Sequence, residues 1–279
     1  MPRHQLTDED GALIADVFPP RAATGRKPTD RRRIVDGILW ILNTGSPWRD
    51  LPEEYGPWKT VWDLFDTWNE NGTLDEILRR LRAARIDAGD VDQELWCIDG
   101  TIVRAARCAA GGGKKNPDEP HDHALGRSQG GFSTKVPLLC DRHGHPLHVT
   151  LTPGQAHEST AVVELLNDAD QYVTDGNEQP VAWPAALAGD KGYRADGIDD
   201  ALLEVGIKPV IPSKSNEDRT KRKIEFDQPA YRDRNIIERL FGWLKESRRI
   251  FARFEKTAKN FGGMIKMAFI QRYIRIARK

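Results

Sequence analysis

Three acids, Asp99, Asp190 and Glu238, have the surroundings that carboxylate chemistry uses. Asp99 closes the apolar run LWCI and precedes Gly100, and Asp190 follows AALAG and opens DKGY. A carboxylate at or beside a strand end is where ligand chemistry often sits in α/β sheets, although an aspartate there also serves simply as a turn former. Glu238 lies in YRDRNIIERLFGWLKESRR, Tyr231 to Arg249. At about 100° per residue, Ile236, Ile237, Leu240, Phe241 and Leu244 cluster on one face of a helix, and Tyr231, Arg234, Glu238 and Lys245 stand opposite within about 60°. An amphipathic helix with a solvated charged face accounts for that pattern by itself. The acids are 91 and then 48 residues apart, so only a folded sheet can gather them. Gathered, they suit phosphodiester cleavage. Mg²⁺ prefers oxygen ligands and is held by a few carboxylates with water and substrate phosphate. Two such ions about 3.5 to 4 Å apart activate the attacking oxygen and stabilise the leaving one. Arginine and lysine beside the glutamate would then neutralise phosphate.

The elements that must position these acids fall into two regimes. Up to about residue 88 the periodicity is helical. RKPTDRRRIVDGILWILNTG offers Thr29 or Asp30 as a cap, an apolar stripe of Ile34, Ile38, Leu39, Ile41 and Leu42, and Gly45 past its end. PWKTVWDLFDTWNENG and TLDEILRRLRAARI repeat the pattern. With the basic entry Arg26, Lys27, Arg31, Arg32 and Arg33, these helices fit either a helix-turn-helix DNA-binding module or a small bundle covering another domain. After Asp90 the runs become short and extended. Glu94 to Ala105 reads as a strand, and Val136 to Cys140 with Leu147 to Leu151 reads as a hairpin turning at Asp141 to Gly144. A helix at HESTAVVELLNDAD, a strand at PAALAGDKGY, a helix at IDDALLEVG and a strand at IKPVIP follow. That alternation predicts an α/β domain, a mixed sheet flanked by helices. The Gly-rich stretch from Ala109 to Gly131 reads as a mobile loop, and Ser213 to Ala230 as an exposed connection.

The chain has 279 residues, with 42 basic and 42 acidic side chains. The balance is uneven, because Tyr231 to Lys279 holds 14 basic against 4 acidic residues. A positive C-terminal segment on a neutral protein fits a polyanionic partner. Cys97, Cys108 and Cys140 form no CxxC pair, and reduced thiols are the simpler reading. No signal core and no apolar run of about 18 residues appear, which predicts a cytoplasmic protein without membrane contact.

The combination resembles bacterial insertion-sequence transposases of the DDE type, most like family five of the insertion-sequence classification. That group's signature of Tyr, two residues, Arg, three residues, Glu, six residues, Lys is met by Tyr231, Arg234, Glu238 and Lys245. CIDGT around Asp99 and GDKGY around Asp190 are similar to its two aspartate motifs, with Gly189 in place of Ala. The segment from Gly130 to Thr160, with TPGQAHEST, and residues 21 to 80 are also similar. The resemblance implies an RNase H-like catalytic domain at 91–279 preceded by an all-α DNA-binding domain at 1–90. It implies Asp99, Asp190 and Glu238 as catalytic ligands of two Mg²⁺ ions, with Mn²⁺ able to substitute. Tyr231, Arg234 and Lys245 would position double-stranded DNA, assisted by Arg248 and Arg249 and, in the N-terminal domain, by Arg31, Arg32 and Arg33. Joining two ends implies a homodimer or larger assembly on DNA, nucleoid-associated when bound. A transposase-derived binder without catalysis, and a hydrolytic nuclease on the same fold, stay open as alternatives.

Other residues read more plainly. His121, His123, His143, His145 and His148 lack a zinc spacing and read as loop or strand-surface histidines. His157 either approaches the site or caps the following helix, and Lys135 faces either DNA or water. Trp48, Trp58, Trp62 and Trp68 have helical spacing and read as core. Arg253 extends the positive face of Arg248 and Arg249 toward phosphate.

Overall fold

A computed structural model describes residues 5–19, 30–110, 119–217, 222 and 224–278. The expected cations Arg26 and Lys27 lie outside the described residues. The chain divides into two compact units: Met1–Leu81, Arg104–His123 and Leu244–Lys279 form one, and Arg82–Val103 with Ala124–Trp243 forms the other. None of the described helices is long and apolar enough to cross a membrane.

The first unit is helical. After α1 (Asp8–Ala12) comes α2 (Arg31–Thr44), which starts where Asp30 accepts the Arg32 N–H at 3.2 Å and ends at Gly45, whose φ of +72° is left-handed. Ile34, Ile38, Leu39, Ile41 and Leu42 are all buried, as the stripe predicts. α3 (Trp58–Glu70) follows two 3₁₀ turns, and Asn71–Gly72 separates it from α4 (Thr73–Asp87). The α2–α3 connection is longer than the turn of about 3–4 residues that a helix-turn-helix uses, whereas the α3–α4 connection is short. The C-terminal helix α10 (Ala258–Ala277) packs on α2 and α3. Gly263 lets α10 approach closely: a Cβ there would lie 2.7 Å from Asn69 and 2.9 Å from Phe65.

The second unit is the mixed sheet. Its strands are β1 (Leu95–Ala105), β2 (Gly126–Ser128), β3 (Gly131–Asp141), β4 (Pro146–Val149), β5 (Thr152–Pro153), β6 (Ala186–Ala188) and β7 (Lys208–Val210). The order is β2-β3-β1-β6-β7, with β4 and β5 paired to β3. β1, β6 and β7 run parallel, whereas β2, β4 and β5 run antiparallel to β3. The last two residues of β1 lie in the first unit and pair there with β8 (Ala252–Arg253). This is a mixed α/β fold with a helical N-terminal region. Leu95 to Ile98 are buried without alternation, as a central strand covered on both faces requires. Trp96, Ile98, Leu139, Leu187 and the helices α5 (Glu158–Tyr172) and α6 (Asp196–Glu204) share one apolar core.

Two expectations need correction. The stretch read as a mobile loop contains β2, which pairs with β3 from Gly126↔Ser133 to Ser128↔Gly131. The segment read as one helix from Tyr231 is three: α7 (Gln228–Asp233), α8 (Asn235–Lys245) and α9 (Arg248–Phe251). The break falls at Arg234, where the N–H of Arg234 bonds Tyr231 and that of Ile237 bonds Arg234, tighter i to i−3 contacts than a continuous α-helix makes.

Candidate active site

Asp99 lies on β1, and Asp190 just follows β6, the neighbouring parallel strand. Leu95, Trp96 and Cys97 of β1 pair with Ala186, Leu187 and Ala188 of β6. Asp99 and Asp190 each stand two residues beyond the last paired residues, near enough for the charge of Asp190 to act on the Asp99 carboxyl. Asp190 leaves β6 into a 3₁₀ turn, its Oδ1 accepting the Gly192 N–H at 2.6 Å, while Asp99 Oδ1 accepts the Gly100 N–H at 2.7 Å. Glu238 stands in the first turn of α8 and is exposed.

Arg234 joins the third acid to the pair. One Nη donates to Asp99 at 2.8 Å and the other to Glu238 at 2.6 Å, so the two carboxylates are one guanidinium apart. The Tyr231 ring lies 5.6 Å from that guanidinium. Burial holds the Asp99 carboxyl above its ordinary pKa, and the charge of Asp190 adds to this, while the Gly100 N–H and Arg234 pull the other way. Burial opposes the charge on Arg234, but Asp99, Tyr231 and Glu238 outweigh it and raise its pKa.

This donor set fits a divalent cation: all are hard oxygens, adjacent carboxylates are part-buried, and a cationic side chain already lies between two of them. The three acids do not yet converge. Among the described residues, the only group with three donor atoms within 4.8 Å is Asp141, His143 and His145. There, Asp141 accepts the N–H groups of Asp92, His143 and His145 at 3.0, 3.0 and 2.7 Å, and His145 Nδ1 lies 2.8 Å away. Its carboxylate capacity of about four acceptor sites is thus already used to tie the hairpin turn.

The remaining candidates divide by burial. Lys245 ends α8, and burial lowers the pKa of its ammonium. Arg248 is exposed. Arg249 is buried, paired with Glu255 at 2.6 Å and donating to the Ser46 carbonyl at 3.1 Å, so its guanidinium is spent within the fold. Arg253 is fully buried over Phe261, where burial pushes its pKa down to about 10, and it is not the surface cation the sequence reading expected. At the N-terminal end, Arg31 lies over Phe18 at 5.6 Å. Arg32 pairs with Asp8 and donates to the Leu6 carbonyl at 2.6 Å, and Arg33 donates to the carbonyls of Glu53 and Glu54.

Tyr193, near the acids, was not singled out for the site from sequence. A Cβ on Gly100 would sit 3.4 Å from the Tyr193 hydroxyl and 3.7 Å from the Lys135 side chain. Lys135 is buried and donates to the Ala156 carbonyl at 2.8 Å, so its ammonium is not in bulk water. The signal for Tyr193 was its place in DKGY. His157 occupies the N-cap position of α5, and its side chain makes no cap hydrogen bond. Of the four tryptophans, only Trp68 is core at 3% exposure; Trp48, Trp58 and Trp62 are half-buried.

Comparison with known proteins adds two family matches. Residues 6–78 match the family described as a putative transposase of the IS4/5 family, and residues 91–270 match the transposase DDE domain. The second match ends inside α10, which packs in the helical unit, so family boundary and packing boundary divide the chain differently. An uncharacterized protein of Sinorhizobium fredii is 40% identical over 107 residues, 38% of this chain and 81% of that one. The putative transposase of IS402 from Burkholderia cepacia is 29% identical over 134 residues, 48% of this chain and 59% of that one. The putative transposase of IS6501 from Brucella ovis is 27% identical over 144 residues, 52% of this chain and all of that one. The solved Mos1 transposase paired-end complex covers 82% of this chain and 83% of its own at 10% identity, with a TM-score of 0.29, too loose a likeness to bear weight.

Proposed function

Because the chain belongs to the DDE-domain transposases, we propose that it binds the terminal inverted repeats of its insertion sequence, cleaves the ends and joins the freed 3′-hydroxyl to target DNA. Asp99, Asp190 and Glu238 are the residues that would hold two Mg²⁺ ions. Those ions, when bound, supply activation of the attacking oxygen and stabilisation of the leaving oxygen. The observation that carries this reading is the parallel pairing of β1 with β6, which ends two residues before Asp99 and Asp190, together with the Arg234 bridge from Asp99 to Glu238.

The chain's own residues have separable tasks. Gly100 and Gly192 N–H groups fix Oδ1 of each aspartate, and Arg234 holds the Oδ2 of Asp99 that a cation would take over. Arg234 holds Glu238 and Asp99 in reach of one another, and once released from them offers a bidentate donor to a DNA phosphate. Tyr231 supports that guanidinium from one face. Lys245 and exposed Arg248 meet the backbone of the DNA as point charges. Simultaneous handling of two ends calls for two copies of the chain on DNA.

The test is incubation of the full chain with labelled DNA carrying element ends, in Mg²⁺ or in EDTA. Metal-dependent cutting and joined product support the proposal. Binding without cutting would instead identify a catalytically lapsed binder, and cutting without joining a hydrolytic nuclease. Asp99→Asn, Asp190→Asn and Glu238→Gln are each expected to abolish cutting and to spare binding.

A further inference from the structure

We propose that the helical unit carries a second nucleic-acid site, a cleft for one unpaired nucleotide of the DNA, built on Trp48, Trp58 and Trp62. The inference rests on the chain acting on DNA but uses none of the three acids.

The cleft has a volume of about 860 Å³, within the range of about 300–1,000 Å³ usual for small-molecule sites. Its three tryptophans are half-buried and line the cleft, whereas Trp68 on the same helix as two of them is buried in the core. Covering the aromatic surface that a cleft leaves open is favourable in water. Phe254 extends the aromatic wall.

Charge then selects the partner. Arg49 lies over Trp58 at 5.6 Å and Lys59 over Trp62 at 5.1 Å. Lys59 pairs with Asp63, and the buried Arg249 in the wall is neutralised by Glu255. Arg49 and Lys256 are exposed and have no ion-pair partner among the described residues, so the rim is net positive. A flat ring joined to an anion satisfies both features: a base stacks on indole, and its phosphate meets the rim. A base inside a duplex already has both faces covered by its neighbours, so the occupant is an unpaired nucleotide. Free phosphate would leave the tryptophans unused, and a proline-rich peptide would leave the cations unused.

The cleft contains its own reporter. Cys108 lines it and is exposed, while Cys97 and Cys140 are buried, so a thiol reagent reads Cys108 selectively. The experiment follows Cys108 labelling and tryptophan fluorescence of the full chain in EDTA, with oligothymidylate, blunt duplex or polyphosphate at equal phosphate concentration. Oligothymidylate is expected to quench fluorescence and slow labelling several-fold, with duplex and polyphosphate well behind. Trp58→Ala is expected to weaken oligothymidylate binding roughly ten- to a hundredfold, and Trp58→Phe to restore most of it. Arg49→Gln, which leaves the aromatic wall intact, is expected to weaken it less and to flatten its salt dependence. Equal protection by polyphosphate, unchanged protection in Trp58→Ala, or protection by a proline-rich peptide but not by DNA would each overturn the proposal. Glu238→Gln is expected to keep the full effect, so failure here is distinguishable from failure of the cleavage reading.

Discussion

Arg234 does for the acids what a divalent ion would do: it puts positive charge between Asp99 and Glu238. A guanidinium carries one charge and cannot bind water as a ligand, so it screens the carboxylates without offering a nucleophile. It must therefore yield its place when a cation arrives. Arg234→Ala is predicted to raise the affinity of the DNA-free protein for Mn²⁺ by about tenfold or more, since unit charges about 4 Å apart interact by several kcal/mol near a protein surface. Calorimetric titration without DNA reads this directly, and an unchanged or weaker affinity would contradict it. The neighbouring arginines separate the same way. Arg248 is exposed and Arg249 is buried, so Arg248→Ala is predicted to lower the salt slope of DNA binding by about one while leaving stability unchanged. Nothing in the spacing of two adjacent arginines distinguishes them. What separates them is Glu255, six residues on, which claims Arg249 at 2.6 Å.

At the scale of elements, the sequence was most legible where one face is wet. Asp30 and Gly45 mark the two ends of α2 because caps satisfy groups that a helix must leave open. The β3–β4 turn was readable from Asp141 to Gly144, and Gly144 there has a φ of +78°. α10 was not assigned, and the reason is physical: most of its residues from Ala258 to Ile274 are buried, so no polar stripe marks its period. β2 was hidden because Gly126, Arg127 and Ser128 carry no strand preference and are ordered by pairing with β3. Two stability predictions belong here. Glu255→Gln removes the partner of a buried guanidinium and is predicted to cost about 3–5 kcal/mol in urea unfolding; a loss under about 1 kcal/mol would show that Arg249 is satisfied otherwise. Gly263→Val drives a side chain into Asn69 and Phe65 and is predicted to cost at least about 1–3 kcal/mol in the same measurement.

For the whole molecule, the fold class was legible, whereas the way the chain is shared between its units was not. The helical period ends near residue 88, yet packing returns Leu244–Lys279 to the helical unit. Local pattern describes which face of a segment is apolar and not which distant segment will cover it. The same return places the basic C-terminal residues in the helical unit, which predicts DNA binding by the full chain that weakens steeply with salt. The central claim is that Asp99, Asp190 and Glu238 share divalent ions. Anomalous diffraction from crystals of the protein with end DNA and Mn²⁺ tests it most directly. Manganese peaks are expected within about 2.0–2.6 Å of oxygens from all three acids, with Arg234 turned off Asp99 and Glu238. Manganese only at Asp141, His143 and His145, with Arg234 still bridging, would contradict it.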